Sequence, residues 1–78
     1  MTKAYTGARR RFLLDQDECE YNRGRAQWLN GYRMAPGHNT DATREQEASH
    51  WAAYDRAAKK RDRALAHLIA AVRKEAAK

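Results

Sequence analysis

The chain has 78 residues, enough for one small domain, and it is basic: 16 lysines and arginines stand against 10 aspartates and glutamates, a formal charge of +6. Hydrophobic residues reach 42%, but alanine supplies much of that share, so few side chains can build a core. The composition argues against an enzyme with a deep, dry pocket and favours a binding protein whose core a partner or a second copy completes.

The single cysteine and the N-terminal sequence bear on the compartment. Cys19 cannot form an internal disulfide, which excludes a secreted disulfide scaffold and leads us to expect a reducing, cytoplasmic setting. The N-terminus lacks the apolar core of a signal peptide, and the run of large apolar residues at 12–14 is far too short to span a membrane. We expect a cytoplasmic protein with no membrane partner.

The first predicted element is a helical segment over residues 8–34. Asp15 and Glu18 match a capping box, which predicts that the main first helix begins at Asp15, with or without a short extra helix before it. The helix is expected to end before Pro36, or earlier at Gly31.

The second predicted element is a long helix over residues 41–77, after a loop at 35–40. No Gly or Pro interrupts it, and its alanines, lysines and arginines favour helix. Residues 1–78 therefore form one all-α domain, a helical hairpin with a short first helix and a long second helix. The apolar stripe predicted to face the first helix consists of Trp51, Tyr54, Ala58, Leu65, Ile69, Val72 and Ala76, with Leu68 at its edge.

The difference in predicted helix length leaves half of that stripe uncovered. A helix that starts at Asp15 is much shorter than one over 41–77, so the C-terminal aliphatic residues project beyond it. We therefore expect a homodimer, although the segment 12–14 could instead fold back over the patch. The predicted protein interface consists of Leu65, Leu68, Ile69 and Val72.

Residue types for catalysis or metal binding are sparse. The acidic neighbours Glu18 and Glu20 disfavour a reactive thiolate at Cys19. Glu47 and His50 have the Glu-x-x-His spacing of half a carboxylate di-metal site, but one chain supplies only one half. We expect no enzyme activity, no metal and no cofactor.

The second helix carries a line of positive charge opposite the apolar stripe. Such a line suits a phosphate backbone, and it is equally compatible with an ordinary solvated helix face. Its members are Arg56, Lys60, Arg63, His67, Lys74 and Lys78.

The first helix holds a tryptophan between two glycines. Gly24 precedes Trp28 by four residues and Gly31 follows it by three, and glycine inside a helix costs about 1 kcal/mol relative to alanine. Either another backbone approaches closely there or the ring is open to stack on a base. The alternative is that Trp28 and Tyr32 pack against the aromatic residues of the second helix as the hairpin core.

Residues 25–35, Arg-Ala-Gln-Trp-Leu-Asn-Gly-Tyr-Arg-Met-Ala, resemble the C-terminal signature of ribosome modulation factors, the small basic proteins of bacterial ribosome hibernation. That signature, Arg-x-x-Trp-Leu-x-Gly-Trp/Tyr-x-x-Ala, follows a Cys-Pro-Tyr or Asn-Pro-Tyr turn, where this chain has Cys-Glu-Tyr. The resemblance covers residues 4–35 at most. It implies a non-enzymatic protein that binds small-subunit ribosomal RNA and suppresses translation. The residues it carries over are Arg25, Trp28, Gly31, Tyr32 and Arg33.

The leading hypothesis from the sequence is a small protein that binds RNA or the ribosome and modulates translation. The rival is a protein–protein interaction module, of the kind found in compact bacterial or phage-encoded inhibitors, that docks on a host protein complex through its helices. RNA binding should weaken steeply with salt, and a hydrophobic interface should not. The residues expected to contact nucleic acid are Arg9, Arg10, Arg11, Arg23, Arg25, Trp28, Tyr32, Arg33, Arg56, Lys60 and Arg63.

Overall fold

The computed structural model describes residues 2–77 and contains two helices, α1 (Lys3–Arg33) and α2 (Asp41–Ala76). They pack against each other in opposite directions along their whole length and form a rod of 61 × 14 × 14 Å. The predicted all-α helical hairpin is confirmed. Lys78, which the sequence places at the end of the basic line, lies outside the described residues.

Threonine caps both helices, and glycine makes the turn between them. The hydroxyl of Thr2 accepts a hydrogen bond from the amide of Tyr5, and the hydroxyl of Thr40 accepts one from the amide of Thr43, so each helix start has a satisfied donor. After Arg33 the chain turns at Gly37, whose φ of 81° lies in the left-handed region that suits glycine.

The first helix is longer than predicted, because it runs unbroken from Lys3 through the expected start at Asp15. That carboxylate caps nothing: it lies inside the helix, buried, with its oxygen 3.7 Å from Nε of Arg11 one turn earlier. The helix also continues past Gly31. With 31 residues in α1 and 36 in α2, the two helices nearly match, so α1 covers the α2 seam almost to its end.

The two helices meet along a regular seam. On each helix the buried and half-buried residues recur with alternating gaps of three and four, which is the heptad spacing of a coiled coil. The seam of α1 consists of Tyr5, Ala8, Phe12, Asp15, Cys19, Asn22, Ala26, Leu29 and Arg33, and the seam of α2 of Thr43, Glu47, His50, Tyr54, Ala57, Arg61, Ala64, Leu68, Ala71 and Glu75.

The most deeply buried positions of the seam carry small side chains, and its larger apolar members are few. The largest fully buried side chain, among the described residues, is Cys19, and Ala26 and Ala57 are fully buried as well. Such a seam lets the helices approach closely but removes little apolar surface from water.

The apolar stripe predicted for α2 therefore lies on the wrong side of the helix, beside the seam instead of in it. Trp51, Leu65, Ile69 and Val72 are 38–45% exposed, and of the predicted stripe only Tyr54 and the edge residue Leu68 belong to the seam. The prediction followed the largest apolar residues, whereas the small residues Ala57 and Ala64 are among the most deeply buried in α2. Trp28 and Tyr32 are exposed as well, so the expected aromatic core is also wrong.

Candidate nucleic-acid interface

The seam divides the surface of the hairpin into two long faces of different charge. Trp51 and Lys60 are nine residues apart, which is two and a half helical turns, so they lie on opposite faces of α2. The charged members of the basic face are Arg11, Glu18 and Arg25 of α1 with Arg56, Lys60, Arg63 and Lys74 of α2; those of the neutral face are Arg9, Glu20 and Arg23 with Arg44, Asp55 and Asp62.

The basic face contains a shallow groove of about 240 Å³ to which both helices contribute cations. Arg11 reaches it from α1, and Lys60 and Arg63 reach it from α2. The carboxylate of Asp15 lies within the groove and leaves an excess of positive charge. The remaining lining residues are Ala64 and His67.

Most cations of the basic face are free of carboxylate partners. Among residues 2–77, no ion pair within 4 Å engages Arg25, Arg56, Lys60, Arg63 or Lys74. All five side chains are exposed. They can therefore meet an external anion without first breaking an internal salt bridge.

Aromatic side chains border the cations where α1 approaches the turn. The rings of Trp28 and Tyr32 are stacked, with centroids 5.2 Å apart and planes inclined by 13°. The guanidinium carbon of Arg25 lies 5.3 Å from the Trp28 ring centroid. Arg25 belongs to the helical turn before Trp28, and Tyr32 belongs to the turn after it. Trp28 is 56% exposed, and its ring already stacks on Tyr32 with the Arg25 guanidinium nearby.

Tyr21 is the open aromatic ring of the basic face. It is 63% exposed, and its ring meets the His50 ring in an edge-to-face arrangement, with centroids 6.2 Å apart and planes at 73°. Tyr21 was not among the site residues expected from the sequence. Its position seven residues before Trp28, hence on the same helix face, is the signal that could have found it.

The structure brings some of the predicted nucleic-acid residues together and separates others. The basic face holds Trp28 and Tyr32 together with the cations Arg11, Arg25, Arg56, Lys60 and Arg63. Arg9 and Arg23 lie on the neutral face. Arg10 lies on the outer ridge of α1, the side of the helix directly opposite the seam.

Arg33 lies in the seam instead of on the surface. Its Nε donates to Oε1 of Glu47 at 3.0 Å, which joins α1 to α2 beside the turn. The hydrogen bond from Arg33, supported by one from the Trp51 indole, lowers the pKa of Glu47 from its ordinary 4.5. Arg33 is therefore committed to a structural ion pair.

Polar contacts occupy the middle of the seam. Nη1 of Arg61 lies 3.4 Å from the Cys19 thiol and 3.4 Å from Oε1 of Gln16. Nδ1 of His50 lies 3.1 Å from Oδ1 of Asn22. Because Glu47 and His50 are thus engaged with other side chains, the spacing of a metal half-site does not become a cluster: the described residues contain no group of three His, Cys, Asp or Glu placed to hold a metal ion.

The predicted protein-interface residues separate into two sets. Leu65, Ile69 and Val72 are exposed on the neutral face, and Leu68 is half-buried in the seam against α1. Leu68 therefore stabilises the hairpin itself.

The glycines beside Trp28 lie in open space. A Cβ atom built on Gly24 or on Gly31 meets nothing within 4 Å. Of the two alternatives drawn from the sequence, the close approach of another backbone therefore does not occur within the hairpin.

Comparison of the chain with protein-family models, with curated proteins and with solved structures finds no match. Over residues 2–77, neither helix combines the length and apolarity that crossing a membrane requires.

Proposed function

We propose that the protein binds the phosphate backbone of RNA through its basic face and thereby modulates translation. The observation that carries this proposal is the groove in which Arg11 of α1 and Lys60 and Arg63 of α2 converge. Arg11 is shared with Asp15, whereas Lys60 and Arg63 have no carboxylate partner within 4 Å among the described residues, and these cations on two rigid helices provide the electrostatic attraction that dominates nucleic-acid affinity.

The distribution of charge supports RNA more than an arbitrary anion. The unpaired cations extend from Arg56 to Lys74, so they follow roughly 27 Å of helix at 1.5 Å per residue. A small anion fills one groove, whereas a polyanion of repeating phosphates engages the whole line. Tyr21 lies on this face and adds a ring on which a base can stack.

The resemblance to ribosome modulation factors favours ribosomal RNA as the target. Of the residues carried over, Arg25, Trp28 and Tyr32 lie at the surface of the basic face, and Arg33 forms the ion pair with Glu47. We expect the surface residues to take part in binding and Arg33 to hold the hairpin together.

A matched pair of variants tests the proposal by fluorescence anisotropy with a labelled ribosomal RNA hairpin. Lys60→Ala/Arg63→Ala removes two cations from the basic face and should weaken binding about tenfold or more. Lys59→Ala/Arg73→Ala removes the same residue types from the outer ridge of α2 and should change the affinity less than about twofold. Equal losses in the two variants, or no binding by the native protein, would contradict the proposal.

A second candidate is a protein–protein interaction module. The exposure of Leu65, Ile69 and Val72 on a face with balanced charge favours it. In that case a host protein docks on α2, the affinity depends little on salt, and Leu65→Ala abolishes capture while Lys60→Ala/Arg63→Ala leaves it intact.

A further inference from the structure

The neutral face carries a second heptad seam that nothing in the hairpin covers. It runs along α2 with the same alternating gaps of four and three as the seam that packs on α1. Its large apolar side chains are 38–45% exposed, which is unusual for a stripe of this length on a monomer. Its positions are Trp51, Asp55, Ala58, Asp62, Leu65, Ile69, Val72 and Ala76.

A helix with two such seams is typical of bundles with more than two helices. Additional burial would stabilise the hairpin, because its own seam contains few large apolar side chains and the largest fully buried one in the described residues is Cys19. On α1, Leu13 is 42% exposed on the same neutral face and extends the apolar surface.

The distribution of charges points to a second copy of the chain as the occupant. On the neutral face α1 carries a net positive charge, from Arg9 and Arg23 against Glu20, whereas α2 carries a net negative charge, from Asp55 and Asp62 against Arg44. A copy that places its α1 over the α2 of its partner brings opposite charges together. The basic faces, by contrast, repel each other and have to point outward.

We propose that two copies pair through their neutral faces, so that α2 of each copy covers α1 of the other. The contacts of Arg33 with Glu47 and of Thr2 with Glu75, at the two ends of the rod, place residue 23 about level with Asp55. A two-fold axis parallel to the helices keeps these levels. It therefore sets Arg23 of one copy beside Asp55 of the other, twice.

The same axis brings apolar residues together. The same two end contacts place Leu13 about level with Leu65. In the pair, Leu13 of one copy packs on Leu65 and Ile69 of the other. The contact closes on itself and produces a four-helix dimer with both basic faces free, so it does not compete with RNA binding.

Sedimentation equilibrium at micromolar concentration tests the pairing. The native chain of 9.0 kDa should sediment at twice that mass, and Leu65→Glu/Ile69→Glu should sediment as a monomer. Ala52→Glu/Ala66→Glu adds the same charges on the exposed outer ridge of α2 and should remain dimeric. A monomer throughout, a mass that grows beyond the dimer, or equal dissociation of the control would overturn the proposal.

A charge exchange tests which helices meet. Asp55→Arg and Arg23→Asp should each raise the dimer dissociation constant about fivefold or more, since the pair occurs twice. Arg23→Asp/Asp55→Arg should return it to within about twofold of the native value. Circular dichroism establishes that each variant is helical. Failure of the double variant to recover would overturn the placement of α2 over α1.

Discussion

Arg33 and Glu47 join the two helices beside the turn, with the guanidinium Nε 3.0 Å from the carboxylate oxygen. At the opposite end of the rod the amide of Thr2 donates to Oε1 of Glu75 at 2.8 Å. Both ends of a seam with few large apolar side chains are thus closed by a glutamate of α2 that contacts α1. These contacts make the stability of the hairpin depend on the ionisation of two carboxyl groups.

The hairpin should lose stability in acid, because Glu47 and Glu75 stabilise it as ionised carboxylates. Hydrogen bonds from Arg33 and Trp51 lower the pKa of Glu47, and hydrogen bonds from the Thr2 side chain and backbone lower the pKa of Glu75, in both cases from 4.5. A carboxyl group whose pKa is lowered in the folded state stabilises the fold at pH values above its unfolded-state pKa. This contribution is lost as the pH falls through the folded-state pKa. The melting temperature should therefore decline as pH drops below 4.5. Glu47→Gln/Glu75→Gln should flatten this decline, and an unchanged decline would contradict the assignment.

The polar layer of Asn22 and His50 is predicted to cost stability. Leucine at both positions removes two polar groups together and adds apolar burial, so Asn22→Leu/His50→Leu should be at least as stable as the native protein. Each single variant leaves one polar group without its partner and should be less stable than the double variant. Chemical denaturation of the four proteins measures this, and a double variant weaker than both singles would contradict the prediction.

Gly24→Ala and Gly31→Ala should each stabilise the hairpin by about 1 kcal/mol, because both positions are helical and the added methyl meets open space. Neither glycine lies among the cations of the basic face, so the affinity for RNA should be unchanged. Urea denaturation and anisotropy measure the two quantities. A stabilised variant that binds RNA more weakly would indicate that the ligand approaches the backbone at the glycine.

Two aromatic residues of the basic face should differ in their effect on RNA binding. Tyr21 has an open ring, and stacking of a base on such a ring is worth about 1–3 kcal/mol, so Tyr21→Ala should weaken binding measurably. The indole of Trp28 already stacks on Tyr32 and lies beside the Arg25 guanidinium, so Trp28→Ala should weaken binding less. The reverse order, measured by anisotropy with single-stranded RNA, would mean that the Trp28 stack opens on binding.

The sequence was sufficient to predict two helices joined by the loop at 35–40, which make up the all-helical fold of residues 2–77, because proline, glycine and long helix-forming runs act locally. It was not sufficient to predict which face of α2 packs against α1. The prediction placed large apolar residues such as Leu65 and Ile69 in the contact, but Ala57 and Ala64 allow the backbones to approach and therefore lie in the seam. The capping signal at Asp15 was misleading, because a carboxylate one turn after Arg11 is equally compatible with the interior of a helix.

The candidate site could be predicted only in part, because some of its residues depend on local helical periodicity and others on how the two helices pack. The basic line of α2 depends only on helical periodicity, and Arg56, Lys60 and Arg63 lie together as expected. The arginines of α1 depend on where that helix meets its partner. Once the seam passes through Asp15 and Asn22, Arg11 and Arg25 lie on the basic face and Arg9 and Arg23 on the other.

The salt dependence of RNA binding tests the central claim most directly. Each neutralised phosphate contributes about 0.7–0.9 to the slope of log affinity against log salt, so native protein that engages its basic face should show a slope steeper than about −3. Lys60→Ala/Arg63→Ala should reduce the magnitude of that slope by about 2, and Lys59→Ala/Arg73→Ala should leave it unchanged. A flat dependence in the native protein, or the same slope in all three proteins, would contradict binding of RNA through the basic face.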